Sequence, residues 1–281
     1  MTADPGTGPP RTAPRTAPHI EDVVRRLEFA ERSRKALVDD GSWPALTLGE
    51  AYTAQARLVA RRVARGEREL GLKLGFTSVA KMRQMGVAEL IVGRLTDAMR
   101  VPDGGCLSRG ALIHPRVEPE VVFRVSRDVD LADPGADLAS AVDAVAPALE
   151  VIDSRYDGFR FDLPRVVADN TSAARFVTGA WVPLAPVALG NLGVALRVDG
   201  RVAALGSTSA LLGHPMRTLA RLQAWGAGLG LRLKAGAVVL AGAATAAVPL
   251  PVGHVEVEIG TLGRIGVHVE GAPGEGGERH E

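Results

Sequence analysis

Apolar and polar positions change their period near residue 70, and that change organises the chain. Ile20, Val23, Val24 and Leu27 recur at helical spacing with charges on the opposite side, which predicts a helix over 20–38. A second helix opens at Thr47-Leu48-Gly49-Glu50, the pattern of a capping box. Its apolar face continues through Leu58 and Val63, and Gly66 is placed to stop it. From Leu70 onward, short β-rich runs at 72–76, 119–125, 147–153, 176–184, 192–198, 201–205, 237–241, 254–259 and 264–269 are separated by Gly and Pro. Asp199-Gly200 between 194–198 and 202–205 predicts a two-residue hairpin, and Thr261-Leu262-Gly263 joins two further alternating strands. Two more helices are expected, at 136–145 and 215–229. Many short strands with few helices predict an α+β fold, a curved mixed sheet or barrel-like β-roll, and not a regular βαβ stack. The expected organisation is a disordered leader over 1–18, an N-terminal helical segment over 19–69, a β-roll domain over 70–270 and a flexible tail over 271–281. The leader is rich in proline (Pro5, Pro9, Pro10, Pro14, Pro18), which suits disorder.

Composition narrows the function classes. With 281 residues and 46% hydrophobic content the chain buries a substantial core. Its 33 Lys and Arg against 32 Asp and Glu leave the field nearly neutral, which argues against nucleic acid as a partner. Arg61, Arg62, Arg65 and Arg68 are interleaved with acidic and apolar residues and read as a solvated helix face. A single cysteine, Cys106, excludes intrachain disulfides and thiolate metal sites and suits a reducing cytoplasm, the expected location. No apolar run reaches transmembrane length, so no membrane association is expected, and the leader lacks the apolar core of a secretory signal. No Gly-x-Gly-x-x-Gly stands between a strand and a helix, so a dinucleotide site is unsupported.

The chemistry concentrates around Arg116-Val117-Glu118-Pro119-Glu120 and Pro147-Ala148-Leu149-Glu150. In an extended segment Glu118 and Glu120 project to the same side, roughly 6–7 Å apart. Two such carboxylates repel unless a positive charge lies between them, and a hard cation such as Mg2+ or Mn2+ suits them, with Glu150 entering from a neighbouring strand. The same residues also suit a solvated strand face and the end of a helix. Lys73 lies in the apolar, glycine-rich Gly71-Leu72-Lys73-Leu74-Gly75, either paired at a site or reaching water from a strand end.

Several segments, taken in order, carry a family resemblance. They are Ala51-Tyr52-x-x-Gln55, 71–78 (GLKLGFTS), 81–87 (KMRQMGV), 114–120 (HPRVEPE), 147–156 (PALEVIDSRY), 167–172 (VADNTS), 212–215 (LGHP) and 245–249 (TAAVP). Together they resemble the 2-oxopent-4-enoate hydratase and 4-oxalocrotonate decarboxylase group of the fumarylacetoacetate-hydrolase superfamily, over about residues 45–269. The resemblance implies a catalytic β-roll holding one Mg2+ or Mn2+ on Glu118, Glu120 and Glu150. It also implies a small 2-oxo or 2-hydroxydienoic acid as substrate, its 1-carboxylate and 2-oxygen on the metal. Lys73 becomes the expected proton donor or carboxylate binder, with Ser172 beside it. Asn170, Thr245 and Ile91 are expected at the substrate, and Arg116 is expected to neutralise the glutamates from outside the ligand set.

Within the group, Phe159-Arg160-Phe161-Asp162-Leu163-Pro164, Val101-Pro102-Asp103-Gly104-Gly105 and Met85-Gly86-Val87 resemble the decarboxylases. Where the hydratases tend to carry Asp, this chain has Ile91, which cannot shuttle a proton. The chain departs from the group's pattern at Leu90 and at Ala243-Ala244. The leading expectation is a metal-dependent decarboxylase of a 4-oxalocrotonate-type acid. The alternatives are a hydratase of a 2-hydroxydienoate such as 2-hydroxypenta-2,4-dienoate, and a weakly active structural partner subunit. A homo-oligomer, or a complex with a related hydratase or decarboxylase, is expected by the same analogy.

Overall fold

The computed structural model describes residues 18–78, 82, 90–185 and 187–271 of the chain. The leader and the tail fall outside the described residues apart from Pro18 and Gly271, as does the Met85-Gly86-Val87 motif. Helices α1 (Pro18–Ser33) and α2 (Leu48–Ala64) come first. The capping box forms: Thr47 Oγ1 accepts from the Glu50 amide at 3.3 Å, and Glu50 Oε2 accepts from the Thr47 amide at 2.9 Å. Val63 is exposed and does not extend the apolar face.

The longer strands are β1 (Glu69–Gly75), β2 (Ile91–Thr96), β3 (Arg116–Val125), β4 (Val142–Ile152), β5 (Ala173–Thr178), β6 (Gly193–Val198), β7 (Arg201–Ser207), β8 (Val238–Ala243), β9 (Gly253–Ile259) and β10 (Gly263–Glu270). One mixed sheet runs in the order β2-β1-β8-β3-β4-β5, and a second runs β7-β6-β9-β10. Only β1 and β8 pair in parallel among these neighbours. The Asp199-Gly200 hairpin joins β6 to β7. No described helix is long and apolar enough to cross a membrane.

Strand alternation separates the core from the site. Val117, Val121 and Phe123 on β3, Val145, Leu149 and Val151 on β4, and Leu72 and Leu74 on β1 share one core with Val194, Leu196, Val255, Val257 and Val267 of the second sheet. Glu118, Glu120, Glu150 and Lys73 occupy the intervening positions and face the other way. On that face a second cluster brings together α1, α2, Ile91, Tyr156 and helix α3 (Leu163–Ala168).

Several expected elements shift. The first helix ends at Ser33, where Arg34 takes φ +56°, well short of residue 38. The helix expected at 136–145 is one turn, Leu138–Ala141, after which β4 begins. Its alanines are good helix formers, but Ala144, Ala146 and Ala148 are buried in a strand with neighbours on both sides. Strand β2 was not expected at all. The run at 176–184 divides into β5 and the pair Val182–Pro183. Helix α4 (Pro215–Gly226) ends in a 3-10 turn over Ala227–Leu229.

Candidate active site

Register brings the acidic residues together. Glu118 pairs directly with Glu150 across the antiparallel β3–β4 ladder, and Glu120 lies two residues along the same face. One oxygen from each carboxylate falls within 4.8 Å of the others, and all three residues are buried. At that separation each ionised pair repels by roughly 3 kcal/mol for an effective dielectric near 20. Like charges directly opposite on a sheet oppose folding, so this face needs compensation.

Part of it comes from Lys73, which is 3% exposed. Its Nζ lies 3.0 Å from Glu150 Oε2 and donates to the Thr171 carbonyl at 3.2 Å. Burial works against the ammonium, but the charges of Glu150, Glu118 and Glu120 outweigh it and hold its pKa above that of a free lysine. The lysine of 71–75 is thus a paired, buried cation and does not reach water. A second contribution comes from the backbone. The β8–β3 ladder slips between Leu240 and Ala243, and the Gly242 amide donates to Glu120 Oε2 at 2.8 Å. Gly242 has φ +105°, and a Cβ there would lie 1.8 Å from Thr77 Oγ1, so only glycine fits.

Among the described residues, one ammonium, that of Lys73, stands beside these three carboxylates. Burial first, then Glu150 and Glu118, push the Glu120 carboxyl well above its ordinary range, and burial raises Glu150 despite the opposing charge of Lys73. Glu120 Oε1 and Glu150 Oε1 are buried without a hydrogen-bond donor. An all-oxygen donor set with such oxygens fits a hard divalent cation.

Thr171 is presented by an unusual backbone. Asn170, Thr171 and Ser172 have φ of +50°, +52° and +59°, three consecutive left-handed residues with no glycine among them. Each costs on the order of 1 kcal/mol. The turn is held by both its flanks. The Asn170 amide clamps β2, with Oδ1 accepting from the Arg94 amide at 2.8 Å and Nδ2 donating to the Arg94 carbonyl at 2.9 Å. The Ser172 carbonyl accepts from the Asp153 amide at 2.8 Å. Behind it, Arg155 and Asp169 form a buried ion pair, and burial, opposed by Arg155, raises Asp169 to about 6. Asp153 in turn accepts from the Ile113 and His114 amides at 2.8 Å each, fixing the approach to β3.

A cleft of about 910 Å³ opens over this floor. Lys73, Glu118, Thr171, Ser172, Ile91 and Thr245 line it. The Ser172 hydroxyl lies 3.5 Å from Asp169 Oδ2, and the Thr245 hydroxyl donates to the Ala246 carbonyl. Ile91 is buried and adds an apolar wall. Asn170 does not line the cleft; its amide is fully engaged by β2. Arg116 is exposed and its guanidinium stacks on the Phe159 ring at 4.5 Å, so Lys73 and not Arg116 supplies the cation beside Glu150. His214 caps α4, accepting from the Met216 amide at 3.1 Å. Sequence reasoning missed Thr171, whose buried hydroxyl has no partner, and Gly93, opposite Lys73 on β2. A left-handed Asn-Thr-Ser turn has no sequence signature beyond asparagine's tolerance of that region.

The β-roll, with Lys73 and Glu118 lining a cleft and Glu120 and Glu150 buried beside them, defines a class, and the chain belongs to the fumarylacetoacetate (FAA) hydrolase C-terminal family, whose pattern matches residues 52–270. It is 44% identical over 254 residues to the 4-oxalocrotonate decarboxylase of a Pseudomonas species, covering 90% of this chain and 98% of that one. It is 34% identical over 241 residues to the 2-hydroxyhexa-2,4-dienoate hydratase of Comamonas testosteroni, covering 83% and 90% respectively. Among solved structures, the 4-oxalocrotonate decarboxylase of Pseudomonas putida G7 in complex with magnesium and adipate superimposes with a TM-score of 0.85 at 37% identity. That match covers 92% of this chain and all of the other.

Proposed function

We propose that the chain is a divalent-metal-dependent decarboxylase of a 2-oxo dicarboxylic acid of 4-oxalocrotonate type, releasing CO2 and a 2-hydroxydienoate. The observation that carries this reading is the buried Glu118–Glu120–Glu150 set closed on one side by Lys73 at the base of the cleft. The 44% identity to a decarboxylase, against 34% to a hydratase, supports the choice of reaction. Glu118, Glu120 and Glu150 would hold Mg2+, the metal in the matched decarboxylase structure; Mn2+ suits the same oxygens. When bound, a divalent cation supplies an electrophile that offsets negative charge growing on the substrate's 2-oxygen.

The chain's own groups do the rest. Glu150 and the Thr171 carbonyl hold the Lys73 ammonium in one orientation, ready to deliver a proton to the dienolate once the carbon–carbon bond to the leaving carboxylate has broken. Ser172 and Thr245 line the same cleft, and Thr245 would contact the substrate from the loop after β8. Ile91, Phe161 and Val166 make an apolar wall that holds no water by hydrogen bonding. That wall favours release of the dienolate product over its hydration.

Hydration of a 2-hydroxydienoate would use the same floor, and the hydratase relatives keep it as the competing reading. An inactive partner subunit is disfavoured by the intact acidic set and its lysine. Assembly with further copies, or with a related hydratase, belongs to the same proposal and is read from the mass in solution. The deciding experiment offers purified protein 2-oxohex-3-enedioate with Mg2+ and then with chelator. Metal-dependent CO2 release is expected. Conversion of 2-hydroxypenta-2,4-dienoate to a 4-hydroxy-2-oxo acid, with no CO2 from the dicarboxylate, overturns the proposal in favour of hydration.

A further inference from the structure

The cleft contains three cations among the described residues: Lys73, Arg116 and Arg160. Two already have carboxylate partners, Lys73 with Glu150 and Arg160 with Asp157. Arg116 makes no ion pair among the described residues; its contact is with the Phe159 ring. That ring is deliberately placed. Gly158 and Phe159 both adopt left-handed backbone, with φ of +60° and +58°, and a phenylalanine there is strained. The ring also lies 5.1 Å from His114 and 6.4 Å from Phe161. An aromatic face steadies a guanidinium without neutralising it, which leaves its N–H donors available to a ligand in the cleft.

Position matters as much as charge. Arg116, Glu118 and Glu120 are alternate residues of β3 and share the face turned toward the site. Arg116 therefore stands two residues, roughly 7 Å, along the strand from Glu118, and both line the cleft. A six-carbon chain anchored by its 1-carboxylate and 2-oxygen over the glutamates has a comparable reach.

We propose that Arg116 binds the carboxylate at the far end of the substrate and thereby selects dicarboxylates over monocarboxylates of the same length, a role that rests on the decarboxylase reading above. In that reaction the bond between the far carboxylate and its carbon breaks and the electron pair stays on the carbon chain, delocalised to the 2-oxygen. The carboxylate departs as neutral CO2. Its negative charge fades as the transition state is approached, so an ion pair with Arg116 is strongest in the ground state. Arg116 is accordingly a specificity residue.

The test uses the full chain with Mg2+, comparing wild type, Arg116→Gln and Arg116→Lys. With 2-oxohex-3-enedioate, Arg116→Gln is expected to raise KM by roughly ten- to a hundredfold without lowering kcat, and Arg116→Lys to recover part of the loss. Calorimetry with two unreactive probes, adipate and hexanoate, gives a readout independent of turnover. Wild type is expected to prefer adipate, and Arg116→Gln to bind the two alike. A KM and an adipate preference both unchanged in Arg116→Gln overturn the assignment, as does a kcat that falls while KM holds. If wild type releases no CO2, the decarboxylase reading fails, and the adipate preference alone then decides whether Arg116 recognises a far carboxylate.

Discussion

Glu118 and Glu150 face each other in direct register on adjacent antiparallel strands, both buried. Nothing in sheet formation rewards that placement, so the interaction that offsets their repulsion defines the site. Replacing Glu150 by Gln is expected to keep the fold and to weaken divalent-metal affinity by roughly a hundredfold or more, since affinity at oxygen sites follows ligand charge. Metal content after dialysis, measured beside the circular dichroism spectrum, checks this. A variant that retains its metal removes Glu150 from the ligand set.

The acidic cluster also predicts how the metal-free protein responds to pH. Burial, then Glu150 and Glu118, raise the Glu120 carboxyl well above the ordinary carboxylate range. A raised acid binds its proton more tightly in the folded state, so its stabilising contribution is complete below about 4.5 and is lost as pH rises through the raised value. In chelator, Tm is expected to fall as pH rises above the ordinary carboxylate range, and Glu120→Gln, neutral throughout, to flatten the decline. Parallel melting curves of the two proteins settle the point; equal slopes would exclude Glu120 as the source.

Lys73 has a structural and a chemical role that one substitution separates. Lys73→Ala leaves Glu150 buried without its cation, at a cost of about 3–5 kcal/mol in the metal-free protein. Added metal should restore most of that stability while kcat stays roughly a hundred- to ten-thousandfold down, as for loss of a proton donor. Full turnover with metal bound would end the proposed proton-transfer role.

Gly93 offers a test that removes no functional atom. A Cβ at this position would fall 2.2 Å from Thr171 Oγ1, 2.8 Å from the Asn170 carbonyl and 3.0 Å from Lys73 Cδ. Gly93→Ala is therefore expected to cost about 1–3 kcal/mol of stability and to displace the lysine or the turn. Turnover should drop while metal affinity, set by β3 and β4, holds. A variant with wild-type kcat would show that the lysine tolerates displacement.

The parts of this fold that were legible in the sequence are those set by local chemistry. The Thr47–Glu50 capping box, the Asp199-Gly200 hairpin and the shared face of Glu118 and Glu120 each follow from a few neighbouring residues. Pairing between distant segments decided the rest. The alanine-rich stretch after Leu138 has helical propensity, and only its place between β3 and β5 makes it a strand. Strand β2, interrupted by Gly93 and Arg94, shows no clean alternation and is recruited by β1 and by the Asn170 clamp. Arg116 read as a partner of the glutamates because they are adjacent in sequence, whereas the fold gives it to Phe159.

The left-handed turn at Asn170, Thr171 and Ser172 bears on any effort to redirect this chain to new acids. What meets Lys73 there is a peptide carbonyl, an atom that every residue type carries. No change of side-chain chemistry at Thr171 can delete it, and almost any change of chain length around it will move it. Variation that alters selectivity therefore belongs on the cleft wall, at positions such as Ile91, Phe161 or Thr245, while the path of the chain through 169–172 is the part to inherit unchanged.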